Sequence, residues 1–152
     1  MKVVAVSRLF AVDMAKMIPF PHAIISITDP KQDLPEFSPN ANRIAVLGQR
    51  FYDLDFTRKI VADDEPELRR IYGFGLFTDE QAKEIVTFVR NHQNQIKLLL
   101  VHCDAGVSRS AGVAGAILKA ITGSDEKIFK DPRYLPNMWV YRKVLNAWYE
   151  EE

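Results

Sequence analysis

The segment from Val101 to Ser110 reads Val-His-Cys-Asp-Ala-Gly-Val-Ser-Arg-Ser. It follows an almost entirely apolar run over residues 96–101. It precedes a run of small and aliphatic residues over 111–121, which Gly123 closes. An apolar run, a short polar turn and a helical run together predict a strand, a loop and a helix. The rest of the chain can be assigned outward from this unit.

The predicted loop has the features of an anion-binding site. A helix directs the free N–H groups of its first turn outward, at the positive end of its dipole. Gly106 lets the loop backbone fold inward so that successive amides converge, and Arg109 adds a planar, permanently charged fork. Cys103 begins the loop, and a cysteine in such surroundings ionises readily to the nucleophilic thiolate. These residues imply thiolate attack on a bound phosphate.

The pattern His-Cys-x5-Arg-Ser, in the setting VHCDAGVSRSAGVAGAIL, resembles the phosphate-binding loop of the cysteine-dependent protein tyrosine phosphatases. It is most similar to their compact dual-specificity branch. The strong match covers residues 98–118, and weaker similarity reaches back to Ala23. The resemblance implies hydrolysis of phosphomonoesters through a cysteinyl-phosphate intermediate. The alternative to a phosphate-binding loop is an ordinary turn between a strand and a helix, with a buried cysteine that has no catalytic role.

The resemblance implies a role for each loop residue. Cys103 would be the nucleophile, and Arg109 would hold two phosphate oxygens. Ser110 would assist departure of the thiolate when the phosphoenzyme breaks down. His102 would lie behind the cysteine and shape the loop through hydrogen bonds. The remaining loop residues would bind the substrate phosphate: Asp104, Ala105, Gly106, Val107 and Ser108.

The general acid is harder to assign. Family members use an aspartate on a mobile loop a few tens of residues before the cysteine. Five aspartates of this chain come into question: Asp53, Asp55, Asp63, Asp64 and Asp79. Asp79 lies in a predicted capping box at a helix start, which indicates a structural role. Asp63 and Asp64 belong to a charged run that is typical of a solvated surface.

Asp53 and Asp55 remain, because they directly follow the predicted strand over residues 43–51. That strand resembles the family strand that leads into the acid loop. We favour Asp53, with Asp55 as the next choice. The separation from Cys103 exceeds the compact family pattern, so an insertion between Phe56 and Phe77 is required.

Strand-like segments interleaved with helical ones predict an α/β fold with a central, mainly parallel sheet flanked by helices. We expect one phosphatase-like domain over residues 1–152. Strands are predicted at residues 2–6, 23–28, 43–51 and 96–101. Helices are predicted after Ser7, over 78–92, over 111–121, over 124–129 and after Asn137. Residues 56–77 are predicted to form a long loop with a helical turn at 67–71.

Helical spacing also predicts which side chains face the core. The first helix should bury Phe10, Met14, Met17 and Ile18. The last helix should bury Tyr141, Val144, Leu145 and Trp148.

Composition excludes several classes of function. Lys plus Arg total 20 and Asp plus Glu total 20, so no net charge draws the chain to nucleic acid or membrane. Cys103 is the only cysteine, which excludes internal disulfides and thiolate metal clusters and suits a reducing cytoplasm. No apolar run reaches the length of a signal peptide or membrane span. We expect a cytoplasmic protein that uses no metal or organic cofactor.

The expected partner is a phosphorylated protein or a small phosphomonoester, and the oligomeric state is open. Three other classes compete with a protein phosphatase: a non-catalytic phosphate-binding module, a rhodanese-like sulfur transferase, and a phosphatase acting on phosphoinositides or RNA 5′-phosphates. The loop length and the Arg-Ser pair favour phosphate over sulfur transfer.

Residues around the loop bear on the substrate. Asp104 lies in the loop, which carries no basic residue besides Arg109. Phe51 and Tyr52 could flank an aromatic ring. These features favour phosphotyrosine-type monoesters over polyanionic substrates. The opposing observation is a set of basic residues in the insertion: Arg58, Lys59, Arg69 and Arg70.

Overall fold

The computed structural model describes residues 1–150, built around a four-stranded sheet in which every pair of neighbouring strands is parallel. The strands are β1 (Lys2–Val6), β2 (His22–Thr28), β3 (Arg43–Arg50) and β4 (Leu98–His102), in the spatial order β1-β4-β2-β3. Every residue of β2 and β4 is buried, as expected for central strands covered on both faces. The predicted α/β class with a parallel sheet is confirmed.

Helices cover both faces of the sheet. They are α1 (Arg8–Ala15), α2 (Lys59–Ala62), α3 (Glu65–Tyr72), α4 (Asp79–His92), α5 (Arg109–Thr122), α6 (Glu126–Phe129) and α7 (Met138–Glu150), with a 3-10 turn at Gly73–Gly75. Alternate residues of β4 belong to two separate apolar clusters. Leu99 and Val101 pack with α4, α5 and α7, whereas Leu98 and Leu100 pack with α1.

Most predicted elements are present, with ends within two residues of those expected. Their caps explain why the ends lie where they do. The Ser7 hydroxyl accepts a hydrogen bond from the Phe10 amide (3.1 Å), and Thr78 and Gln81 form both bonds of a capping box. Asn137 Oδ1 accepts from the Val140 amide (3.0 Å) at the start of α7.

The predicted inner face of α1 is only partly correct. Ile18, just beyond the helix, is buried as predicted (4% exposed), but Phe10 and Met17 are 51% and 68% exposed. Ala11 and Ala15 face the sheet instead and are fully buried. Small side chains let the helix backbone approach β4 closely, and the larger apolar side chains then point outward. In α7, by contrast, the four predicted residues are buried or packed against the core.

The predicted long loop over residues 56–77 is also corrected, because most of it is helical. We call residues 58–75, which comprise α2, α3 and the 3-10 turn, the α2–α3 segment. Neither α2 nor α3 contains a buried residue. Arg69 attaches the segment to the domain by stacking on the rings of Phe56 (4.9 Å) and Trp139 (5.8 Å).

No helix among residues 1–150 has both the length and the apolar character needed to cross a bilayer.

Candidate active site

The loop from Cys103 to Ser108 lies between the carboxyl end of β4 and the start of α5; we call it the phosphate loop. Gly106 has a φ angle of 75°, in the left-handed region. A Cβ atom at this position would lie 2.4 Å from both Ser7 N and Val6 C. Glycine is therefore required by both conformation and space, and the loop packs directly on the junction of β1 and α1.

The Cys103 side chain lies at the floor of the phosphate loop, where the residue is 2% exposed. Its Sγ accepts a hydrogen bond from the Gly106 amide (3.3 Å) and lies 3.1 Å from Ser110 Oγ. When the sulfur is ionised, the Ser110 hydroxyl must be the donor in that second contact. Two donors directed at the sulfur stabilise negative charge on it.

His102 is fully buried behind the loop and contacts it through its ring. Nδ1 lies 2.9 Å from the Cys103 carbonyl oxygen, and Nε2 lies 2.5 Å from Ser26 Oγ. Burial lowers the pKa of His102, and the nearby charges of Arg8 and Arg109 lower it further. The ring is thus neutral near pH 7. Since a carbonyl only accepts, Nδ1 carries the proton and Nε2 accepts from Ser26.

Arg109 is 6% exposed, and the protein contacts one side of its guanidinium. Nη1 donates to Asp29 Oδ1 (2.6 Å) and to the Phe51 carbonyl oxygen (2.8 Å). Nε is buried and has no hydrogen-bond partner among the described residues. An unpaired buried donor is costly, so this edge of the guanidinium is suited to a bound anion.

Asp29 is a site residue that the sequence analysis missed. The sequence analysis assigned no role to this residue, which directly follows the predicted strand over residues 23–28. The signal that could have found it is positional: Asp29 follows a strand that neighbours β4, and the carboxyl ends of parallel strands meet at one edge of the sheet.

Arg8 is a second cation that the sequence analysis missed. Its amide donates to the Asp104 carbonyl oxygen (3.1 Å). Its guanidinium donates to Thr28 Oγ1 (3.2 Å) and to the Asp33 carbonyl oxygen (2.8 Å). No carboxylate pairs with it among the described residues, so it contributes positive potential beside the loop.

The structure places Asp53 against the phosphate loop. Its exposed carboxylate accepts hydrogen bonds through Oδ1 from Ser108 Oγ (2.8 Å) and from Asn137 Nδ2 (2.8 Å). Asn137 in turn is 1% exposed and also donates to the Leu54 carbonyl oxygen (3.1 Å). A buried asparagine and a loop hydroxyl thus fix an exposed carboxylate at the edge of the site. The sequence analysis had placed Asn137 only at the start of the last helix.

Asp55, the alternative acid, is arranged differently. It is 8% exposed, and both of its oxygens are engaged. Oδ1 accepts from the amide (2.9 Å) and hydroxyl (2.5 Å) of Thr57, and Oδ2 accepts from the Met138 amide (2.8 Å). A carboxylate at the start of α7 interacts favourably with the helix dipole. These contacts give Asp55 a structural role.

The other three aspartates considered as the acid lie in exposed positions at helix ends: Asp63 follows α2, Asp64 precedes α3 and Asp79 begins α4. Asp63 pairs with Lys59 (3.3 Å), and Asp79 pairs with Lys143 (2.7 Å), which lowers the pKa of Asp79. Asp64 is exposed and precedes α3. None of the three has a hydrogen bond to the phosphate loop among those described for residues 1–150.

The aromatic residues near the site differ from prediction. Phe51 is fully buried and packs on Phe77 (4.6 Å between ring centroids), so the prediction that it flanks a substrate ring is wrong. Tyr52 instead forms edge contacts with Tyr72 (5.0 Å) and Phe74 (6.0 Å) of the α2–α3 segment. Phe74 is 73% exposed. Tyr52, which directly precedes Asp53 in the chain, therefore belongs to an aromatic cluster with Tyr72 and Phe74.

The basic residues of the α2–α3 segment are mostly neutralised within it. Three of the four form ion pairs with acidic neighbours: Lys59 with Asp63, Arg69 with Glu65, and Arg70 with Glu67. Arg58 has no ion pair among residues 1–150. The segment therefore offers one uncompensated cation rather than four.

No group of three or more His, Cys, Asp or Glu side chains in the described part of the chain is arranged to hold a metal ion.

Several solved structures share this architecture. Human DUSP28 is 18% identical, with 98% of this chain and 92% of that chain covered and a TM-score of 0.56. Tk-PTP in its active form is 17% identical (96% and 92% covered, TM-score 0.54), and PTPMT1 is 16% identical (98% and 90% covered, TM-score 0.53). No protein-family model and no curated protein sequence matches the chain. The predicted fold, that of the cysteine-dependent, dual-specificity-type phosphatases, is confirmed.

Proposed function

We propose that this protein is a phosphomonoester hydrolase of the protein tyrosine phosphatase type, acting through a cysteinyl-phosphate intermediate. The observation that carries the proposal is the buried Arg109 guanidinium. Asp29 and the Phe51 carbonyl oxygen hold its Nη1, while Nε has no protein partner in the described chain. The same loop directs the Gly106 amide at Cys103 Sγ. An oriented cation beside a nucleophile is the arrangement that phosphoryl transfer requires.

In the first step, the Cys103 thiolate attacks phosphorus. A sulfur–phosphorus bond forms as the bond from phosphorus to the leaving oxygen breaks. The loop amides and Arg109 stabilise charge on the three remaining phosphate oxygens. Asp53 donates a proton to the leaving oxygen, which departs as an alcohol or phenol.

In the second step, water attacks the phosphocysteine. Asp53, now ionised, accepts a proton from the water, and inorganic phosphate forms as the sulfur–phosphorus bond breaks. Ser110 Oγ, 3.1 Å from Sγ, donates a hydrogen bond to the departing thiolate. Neutral His102 stays outside the proton transfers and orients the loop through the Cys103 carbonyl.

Asp53→Asn tests the assignment of the acid. We expect kcat/KM on an aryl phosphate with a basic leaving group to fall by ~10²–10⁴-fold, the usual contribution of a positioned acid. A strongly acidic phenol leaves without a proton, so the loss of kcat/KM should shrink on such a substrate. The measurement is kcat/KM across aryl phosphates of graded leaving-group pKa, because kcat also contains the second step, in which Asp53 acts as the base for every substrate.

Asp55→Asn is the matched control. It should lower Tm, because it weakens the contacts to Thr57 and the Met138 amide, while keeping the wild-type dependence on the leaving group. If Asp55→Asn shows the leaving-group signature and Asp53→Asn does not, the two assignments are reversed.

We propose that the substrate is a phosphotyrosine-type monoester, on a protein or on a small molecule, rather than a phosphoinositide or an RNA 5′-phosphate. Three features support this preference. The Asp104 carboxylate is exposed in the loop, most cations of the α2–α3 segment are paired, and the cluster of Tyr52, Tyr72 and Phe74 offers aromatic surface. On the other side stand the uncompensated cations Arg8 and Arg58, and one solved PTPMT1 structure is a complex with PI(5)P.

The substrate preference is tested by kcat/KM on a phosphotyrosine peptide and on a soluble phosphoinositide in one buffer. We expect the peptide to be preferred. A tenfold advantage for the inositide, ~1.4 kcal/mol of transition-state preference, would contradict the proposal. Purified protein that hydrolyses no aryl phosphate but binds phosphate would instead be a phosphate-binding module.

A further inference from the structure

A cavity of about 290 Å³ lies beside the phosphate loop, where the connection between α6 and α7 passes the start of the α2–α3 segment. Its lining is largely apolar: Phe129, Leu135, Pro136 and Met138, with Asp55 and Arg58. Leu135 is 70% exposed and Phe129 is 40% exposed. The cavity is therefore open, with large apolar side chains at its surface.

Backbone hydrogen bonds tie the cavity wall to the phosphate loop. The Leu135 amide donates to the Val107 carbonyl oxygen (3.0 Å), and the Asn137 amide donates to the Ser108 carbonyl oxygen (3.0 Å). The Asn137 side chain then reaches Asp53, the proposed acid. A substrate whose phosphate occupies the loop would bring its neighbouring groups over this wall.

The cavity also has a defined charge. Arg58 has no ion pair among residues 1–150, whereas its neighbour Lys59 is paired with Asp63. Asp55 lines the cavity as well, but both of its oxygens are engaged by Thr57 and by the Met138 amide. The group left to interact with a ligand is the exposed Arg58 guanidinium, so the cavity complements an apolar group next to an anionic one.

We propose that this cavity binds an aliphatic side chain of a phosphoprotein substrate and that Arg58 binds an acidic residue next to it. Both residues would lie within about three positions of the phosphotyrosine, ~10 Å of extended chain. The proposal rests on the proposed function and deepens it by adding a sequence preference. An acyl chain of a phospholipid would fill the apolar part of the cavity. It carries no anionic group, however, that could pair with Arg58 inside the cavity.

The test uses three phosphotyrosine peptides that differ only in the flanking pair: Leu-Glu, Leu-Lys or Ala-Gln. Wild type should prefer Leu-Glu. Arg58→Glu should lower kcat/KM on Leu-Glu by about fivefold and raise it on Leu-Lys, because the sign of the ion pair is reversed. Leu135→Ala should lower kcat/KM on both leucine peptides by about tenfold. Neither variant should change hydrolysis of a small aryl phosphate, which does not reach the cavity.

Two matched controls accompany these variants. Lys59→Glu makes the same charge change one residue away, and Leu9→Ala removes an equally exposed leucine (74%) from α1. Both should keep the wild-type peptide preference. Equal losses in Arg58→Glu and Lys59→Glu, or losses that ignore the flanking pair, would overturn the proposal. So would a Leu135→Ala defect confined to phosphoinositide vesicles, which would identify the lipid chain as the occupant.

The same peptides should be bound by Cys103→Ser protein, with affinity measured by calorimetry. This readout needs no turnover, so it separates recognition of the flanking residues from catalysis. If wild type hydrolyses no aryl phosphate but the Leu-Glu peptide is bound selectively, the proposed catalysis is wrong and the proposed role of the cavity is supported. If wild type hydrolyses aryl phosphates but shows no peptide selectivity, in rate or in binding, the catalysis is supported and the proposed role of the cavity is wrong.

Discussion

Replacing Cys103 by serine is expected to abolish hydrolysis of aryl phosphates while leaving oxyanion binding largely intact. The serine hydroxyl stays protonated near neutral pH and is a far weaker nucleophile than a thiolate, so kcat should fall by ~10⁴-fold or more. Arg109, held by Asp29 and the Phe51 carbonyl oxygen, and the inward-directed Gly106 amide remain in place. Steady-state kinetics and calorimetry with sulfate measure the two halves of this prediction.

The outcome that would contradict the covalent mechanism is residual turnover in Cys103→Ser close to that of wild type. Loss of sulfate binding along with activity would instead show that the substitution disturbs the loop. Mass spectrometry of wild-type protein quenched during turnover should detect an added phosphate on Cys103, and the variant should lack it.

Arg109→Lys is expected to lose both catalysis and oxyanion binding. It should differ in this from Cys103→Ser, which loses catalysis but keeps oxyanion binding. Lysine presents a point charge and cannot reproduce a planar fork that contacts Asp29, a backbone carbonyl and an anion at the same time. Loss of an electrostatic contact of this kind costs ~10²–10³-fold in kcat. Sulfate calorimetry in the same buffer gives the binding half.

A Tm measurement must accompany this variant, since Arg109 is buried and paired with Asp29. A protein that stays folded, keeps wild-type sulfate affinity and loses only kcat would contradict the role assigned to the guanidinium. Unchanged kcat would contradict it more directly.

Much of the fold was predictable because its signals are local. The order of an apolar run, a glycine-containing turn and a helix of small residues predicts the phosphate loop. Caps at Ser7, Thr78 and Asn137 mark helix starts through bonds to residues three positions away. Such signals involve neighbours in sequence, so a single chain reveals them.

The errors have physical causes as well. The inner face of α1 was assigned from large apolar side chains, but the distance between a helix and a sheet decides whether large or small residues face inward. Phe51 and Tyr52 are adjacent residues at the end of a strand, where successive side chains point to opposite sides. Which of these two side chains is buried depends on how the sheet is placed in the domain, and the sequence alone does not show this.

The remaining site residues depend on contacts distant in sequence. Asp29 meets Arg109 only because β2 lies beside β4, a neighbour relation that the order of strands along the chain does not give. Asp53 and Asp55 are two residues apart and of one type, so spacing could not distinguish them. Their different partners, Ser108 and Asn137 for one and the start of α7 for the other, become visible only in three dimensions.

The absence of buried side chains in α2 and α3 has a consequence for how the protein can change over evolutionary time. Elements that bury little apolar surface open locally at a small fraction of the free energy of global unfolding. Substitutions in them are therefore nearly neutral for folding stability. Arg58 directly precedes α2, Phe74 lies in the 3-10 turn after α3, and both are exposed. These two residues, which we place at the substrate's edge, can therefore vary without endangering the core that holds Cys103 and Arg109. Substrate selectivity can therefore change over evolutionary time while the reaction at Cys103 and Arg109 is kept.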